Sequence, residues 1–336
     1  MKSSAAESSR MIAAAHSTGR SRALLGVALR WTAGILVLLL LAYFLPIAPL
    51  RVALAQIPPV LFVLVLVGYL LAHAAGAAKW RMVVNAAGAG LNYSTAVQCY
   101  FGGLFGTLFL PSILGGDVIR VAVALRKSPR PAAVVAGNVA DRVVDVAALA
   151  GLTLLGVALF PTSLPLTLQT YAWRVLEGLA LLLLVLLALF LLLRRALLGG
   201  RSIRFRRRLA RVRHSLRAVS RQPQVLVFAL LLGLSTQAVF VLLTALLAHA
   251  CGLLLPLRAW LFAWPLAKLA ALLPVTQGGV GVREAALVAL LVPFGAASPL
   301  VFAAGLAWEG VIIAGGLCAG LLVFLVRRSN RPEDQA

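Results

Sequence analysis

Twice in this chain a long apolar run is broken in the same way. Residues 110–120 read LPSILGGDVIR and residues 273–283 read LPVTQGGVGVR. Pro111, Gly115, Gly116 and Arg120 superpose on Pro274, Gly278, Gly279 and Arg283 without a gap. A proline, two glycines and an arginine thus interrupt the chain at hydrophobic depth, once in each half. In hydrocarbon such irregular backbone is tolerated only where it is packed in protein or lines a wet cavity. Paired interruptions in the two halves of a membrane chain point to a transport site.

The runs around them are too long and too apolar for a soluble domain. Of 336 residues 62% are hydrophobic and 12% charged, and the mean hydropathy is +1.00. No alternation of the outer-membrane-barrel kind is present, so the chain reads as an all-α integral membrane protein. Apolar runs lie near 24–45, 59–78, 132–160, 172–193, 224–250 and 300–326. A crossing takes about 20 residues at 1.5 Å each. Two further regions, about 93–126 and 257–294, hold the repeated motif in their middle.

Basic residues orient the spans. Eleven arginines and no acid lie between Arg194 and Arg221, and Arg327, Arg328 and Arg331 follow the last run. Segments 46–58, 161–173 and 251–257 carry one charge at most. The positive-inside rule puts the rich segments in the cytoplasm. Parity then requires each motif region to return to the side it left. The expectation is six full spans and two re-entrant hairpins in an inverted-topology repeat, with eight full spans as the alternative. The domain division is a polar tail over 1–23, one transmembrane domain over 24–326 with a basic loop at 194–223, and a tail over 327–336. The net charge of +22 matches an anionic leaflet rather than nucleic acid. The expected place is the bacterial inner membrane with both termini cytoplasmic, the first run serving as an uncleaved anchor.

Six of the nine acids fall in or beside apolar segments: Asp117, Asp141, Asp145, Glu177, Glu284 and Glu309. A charge at mid-helix costs about 3 kcal/mol on insertion scales, so such groups face an interior with partners. Asn138, Asp141 and Asp145 share a helical face beside Arg142. Helices beginning after each Gly-Gly would aim free N–H groups at the membrane centre, and Arg120 and Arg283 add forks suited to phosphate. The candidate substrate site is therefore Gly115, Gly116, Asp117, Arg120, Asp141, Arg142, Gly278, Gly279, Arg283, Glu284 and Glu309. The competing reading is a set of ion pairs that only fix hairpin register. Cys99, Cys251 and Cys318 have unrelated spacings, and His16, His73, His214 and His249 have no ligand-like neighbours. No metal, cofactor or nucleophile–base constellation follows, and an enzyme is not expected. Residues 203–219 space Ile203, Phe205, Leu209, Val212, Leu216 and Val219 as an amphipathic helix, suited to a membrane surface or to a plain linker.

With these residues in place the chain resembles the lysylphosphatidylglycerol synthase transmembrane (flippase-like) family. The resemblance rests on Lys79-Trp80-Arg81, Phe109-Leu110-Pro111 with Gly115-Gly116-Asp117 and Arg120, Asp141-Arg142, and Pro274 with Gly278 to Glu284. It implies translocation of lipid with a phosphate-bearing head group, without the soluble aminoacyltransferase of the family's two-domain members. The functional expectation is a translocase for an anionic lipid or lipid-linked intermediate, with membrane lipids as partners. No GxxxxGK[ST] motif is present to supply ATP chemistry. The alternatives are a small-anion secondary transporter and a non-transporting partner of a lipid- or glycan-modifying enzyme.

Overall fold

A computed structural model describes Thr32, residues 47–110, 112–159, Thr170, Trp173, Arg174, Glu177, 203–272, Thr276 and 278–329. Apart from Thr32, Trp173, Arg174 and Glu177, the runs expected at 24–45 and 172–193 lie outside the described residues, as do Pro111 and Pro274 of the motifs. The described residues contain helices and no strand. The helices are α1 (Ile47–Ala55), α2 (Pro59–Ala86), α3 (Tyr93–Thr107), α4 (Ser112–Lys127), α5 (Pro131–Ala158), α6 (Ile203–Ser220), α7 (Pro223–Ala250), α8 (Leu257–Ala270), α9 (Val282–Leu291) and α10 (Ser298–Ser329), with a 3₁₀ turn at Val292–Phe294.

Local sequence sets the ends of these helices. Proline begins α2, α5 and α7 at the first helical positions, where its missing N–H costs nothing. Both α2 and α7 end in a Schellman turn. Ala89 N–H donates to Val84 O and Gly88 N–H to Asn85 O; Leu253 and Gly252 do the same to Ala248 and His249. Gly88 and Gly252 take the left-handed φ (97° and 83°) that this turn requires. The Asn92 side chain caps α3 by accepting from Thr95 N–H at 2.8 Å.

Length separates two kinds of helix. Helices α2, α5 and α7 have 28 residues each and α10 has 32, about 42 Å or more at 1.5 Å per residue. Helices α2, α7 and residues 298–326 of α10 are both long and apolar enough to cross a membrane. Helix α5 matches them in length but carries Asp141, Arg142 and Asp145. Its outer face is nonetheless apolar, with Val135, Val139, Val143, Leu154 and Leu155 exposed. Such stripes recur as Val60, Leu64, Val67 and Leu71 on α2 and Ile313, Leu317, Leu321 and Phe324 on α10. Exposed apolar faces of this extent meet lipid, not water.

The motif regions instead form pairs of short helices. α3 and α4 have 15 and 16 residues, and α8 and α9 have 14 and 10. At most about 24 Å long, none spans a hydrocarbon core of about 30 Å. The first pair runs antiparallel and closes on itself. Ser128 Oγ donates to Ala89 O at 2.9 Å and an Arg130 Nη1 to Gly88 O at 3.0 Å, tying the exit of the pair to its entrance.

The two halves pack reciprocally. α2 lies against α7, α3 against α10, and α8 against α5. Gly68 meets Leu243 while Gly233 faces Lys79, so α2 and α7 are antiparallel. Leu108 meets Gly316 and Phe105 meets Gly320, which makes α3 and α10 antiparallel too. Buried Trp260, Phe262, Trp264, Phe302 and Trp308 fill the core between α7, α8, α9 and α10. Helix α6 docks through Val212, Leu216 and Val219 onto the cluster of Val83, Val84 and Ala133, leaving Leu209 exposed. Its described apolar residues thus serve largely for packing on the bundle.

Small residues permit the tightest crossings. A Cβ on Gly156 would lie 2.6 Å from the Phe262 backbone N, whereas one on Gly151 would lie 3.4 Å from a flexible Leu234 methyl. Gly156→Ala is expected to destabilise by about 1–3 kcal/mol through overpacking. Gly151→Ala is expected to be neutral or stabilising by up to about 1 kcal/mol from helix propensity. Thermal unfolding of the two variants in detergent, against wild type, checks this ordering.

Candidate functional site

The charged face of α5 is the centre of the site. Asp141 has no solvent exposure, and Lys79 of α2 reaches both it and Asp145, at 2.7 and 2.6 Å. Arg120 of α4 pairs with Asp117 at 2.9 Å and lies 3.6 Å from Asp141. Arg142 pairs with Asp117 at 3.0 Å and Asp145 at 3.1 Å. Asn138 accepts from Arg120 at 2.8 Å and from the Trp80 indole at 3.1 Å. The Arg120 guanidinium lies over both Trp80 and Tyr100, 5.2 Å from each ring centroid, a placement the ring quadrupoles favour. Three cations and three carboxylates neutralise one another, which is what hydrocarbon depth demands.

Lys79, Trp80 and Arg81 are consecutive, so they leave α2 about 100° apart and do three different things. Lys79 and Trp80 hold α5. Arg81 donates to Leu91 O at 3.1 Å, where Asn85 also makes two bonds, and so fixes the turn that launches the first hairpin.

The two copies of the glycine motif adopt different backbones. In the second, Gly278, Gly279 and Gly281 all have positive φ, and α9 begins after them at Val282. The expectation that a helix starts after each Gly-Gly holds there. It fails in the first copy, where α4 begins at Ser112 and Gly115 and Gly116 sit inside its opening turns. Their task is close approach. A Cβ on Gly116 would stand 2.2 Å from Thr107 Oγ1 and 2.6 Å from Gly103 O, and one on Gly115 would stand 2.4 Å from Leu110 Cβ.

A second ion cluster holds the second motif. Arg283 donates to Glu284 at 2.6 Å and to Glu309 of α10, and Glu284 also accepts from Gly281 N–H at 2.7 Å. A glutamate at the third helical position bonding back to the cap N–H is half of a capping box. Each motif arginine therefore faces an acid on the long helix that follows it: Asp141 for Arg120, Glu309 for Arg283.

A cavity of about 190 Å³ opens where the two hairpins meet. Its lining includes Gly116, Asp117, Arg120, Arg142, Asp145 and Lys79, together with Tyr100, His73, Gln237, Phe240 and Lys268. The hairpin tips are neighbours, a Cβ on Gly278 falling 3.6 Å from Thr107 O. Of the residues picked out in the sequence, Gly116, Asp117, Arg120 and Arg142 line this cavity and Asp141 sits directly behind them. Gly115, Gly278, Gly279, Arg283, Glu284 and Glu309 are outside its lining. Sequence reasoning missed Lys268, Gln237, Tyr100 and His73. Lys268 left the clearest signal, a lone lysine in an apolar helix; His73 and Tyr100 join only through helix packing.

The profile of the lysylphosphatidylglycerol synthase TM region matches residues 24–320, nearly the whole chain. The chain belongs to that family. No curated protein and no solved structure matches it. Membership brings the cavity and its charges into a membrane domain related to lipid handling.

Removing Arg283 would leave Glu284 and Glu309 buried without a cation. Arg283→Ala is expected to cost about 3–5 kcal/mol, and the triple change Arg283→Met, Glu284→Gln, Glu309→Gln to recover much of it. Scanning fluorimetry of both variants tests the claim; equal losses would contradict it.

Proposed function

We propose that this protein is a translocase that carries an anionic phospholipid or lipid-linked intermediate across the bacterial inner membrane, its termini cytoplasmic. The observation that carries the reading is Arg142. It lines the cationic cavity and, with 28% of its side chain exposed, also lines an outer groove with Asn138, Val139, Val143 and Val146. A head group held by charge inside can thus be continuous with acyl tails against the valines outside. A soluble anion would have no use for an apolar groove at that point.

Support for an inverted-topology repeat comes from the order of elements and their packing. Long helix, short pair, long helix occurs twice, and the equivalent helices α2 and α7 are antiparallel. The short pairs are then re-entrant hairpins whose tips meet near mid-membrane, as in transporters with discontinuous helices. In this scheme Arg120 and Arg142 contact the phosphate, while Asp117, Asp141 and Asp145 hold them when the cavity is empty. Arg283, Glu284 and Glu309, with Gly278 and Gly279, set the second hairpin as the facing wall. The role is transport rather than catalysis.

Proteoliposomes containing fluorescently tailed phosphatidylglycerol test the proposal. Wild type is expected to move label between leaflets faster than empty vesicles. Arg142→Ala, and Arg120→Lys, which keeps the charge but loses the planar fork, are each expected to slow it about tenfold or more, about 1.4 kcal/mol of barrier. Equal rates with and without protein would sink the lipid reading. Uptake of soluble phosphate that ignores lipid composition would move the assignment to small-anion transport. An enzyme that co-purifies stoichiometrically, with both variants fully functional, would move it to a partner role.

A further inference from the structure

Among the described residues, three of the four cations lining the cavity are neutralised by carboxylates, and the fourth is not. Lys79, Arg120 and Arg142 each touch at least two carboxylates. Lys268, half-buried in the last turn of α8, makes no ion pair among the described residues. Its Nζ donates to Gln237 Oε1 at 2.8 Å and lies 4.6 Å from the Phe240 ring centroid. An ammonium has three donors and Gln237 takes one. The remaining hydrogens have the cavity to serve, and so does the Gln237 amide nitrogen, which has no bond among the described residues. Among the described residues, four cations against Asp117, Asp141 and Asp145 leave one positive charge in excess. That excess belongs to Lys268.

A helix C-terminus offsets only a small part of the cost of holding a cation away from water at this depth. The missing counter-ion is a ligand's. We infer that Lys268, with the Gln237 amide beside it, anchors the phosphate of the transported molecule. This rests on the translocation reading and adds to it a contact from the second half of the chain. The phosphate is then gripped from both halves, by Arg120 and Arg142 on one side and Lys268 on the other. The shared chemistry is an anionic phosphate group, either a lipid phosphodiester, which carries one charge, or free inorganic phosphate.

The test uses the full chain in nanodiscs of phosphatidylcholine, with phosphatidylglycerol or inorganic phosphate added in turn. Thermal shift gives affinity for each. Wild type and Lys268→Arg are expected to be stabilised by phosphatidylglycerol. Lys268→Met and Lys268→Gln are expected to lose about tenfold or more in that affinity, while unfolding in phosphatidylcholine alone at or above the wild-type temperature. The last point separates a ligand anchor from a structural lysine, whose removal would lower that temperature. A phosphatidylglycerol shift retained in full by both neutral variants overturns the anchor and leaves the translocation reading standing. A shift with inorganic phosphate alone, lost in the neutral variants, supports the anchor and overturns the lipid assignment. No response of wild type to either anion overturns both.

Discussion

The pairing of charge at hydrocarbon depth is the constraint on which this structure depends. A lone charge there is costly, and removing one partner of a buried pair costs about 3–5 kcal/mol. Lys79, Arg120 and Arg142 come from three helices and converge on Asp117, Asp141 and Asp145. These contacts fix α2, α4 and α5 relative to one another more sharply than apolar packing does, because lipid tails compete with apolar side chains and not with ion pairs. Arg283, Glu284 and Glu309 do the same for α9 and α10.

The two motifs show one device solved in two ways. Each places an arginine opposite an acid on the following long helix, and each uses glycine to make that geometry reachable. In the second motif the glycines turn the backbone through positive φ. In the first they stay helical and let α3 lie directly on α4. The halves also differ in charge, since the first hairpin supplies Asp117 and Arg120 to the cavity lining and the second supplies Lys268. A cavity with a net positive charge follows from halves that are similar in architecture and unlike in charge. The family assignment to a lipid-handling membrane domain is in keeping with a wall of this kind.

Much of the architecture was legible beforehand because membrane helices are constrained by length and hydropathy. The runs at 59–78, 132–160, 224–250 and 300–326 correspond to α2, α5, α7 and α10. The motif regions form pairs of short helices; charge parity favoured hairpins there and left eight full spans as the alternative. The grouping of Asn138 with Asp141 and Asp145 followed from 3.6-residue periodicity, and all three lie on the working face of α5. The helix start in the first motif was misread, since glycine serves turns and close contacts equally and spelling does not separate the two. Of the apolar residues spaced along 203–219, Val212, Leu216 and Val219 dock on the bundle, a destination that amphipathicity alone does not specify.

Hydropathy, charge asymmetry and a repeated motif determined by themselves that this is a helical membrane protein with two interrupted regions bearing charge. These are properties of the chain read against the dielectric of its solvent, and they need no partner to be visible. Which charges meet was decided only in three dimensions. Arg120 and Arg283 are equivalent in spelling, yet one lines a cavity and the other is sealed between two glutamates. Lys268 reaches that cavity from a helix 148 residues beyond Arg120. Helix crossings set such distances, and crossings depend on the summed fit of many side chains, which no local pattern records.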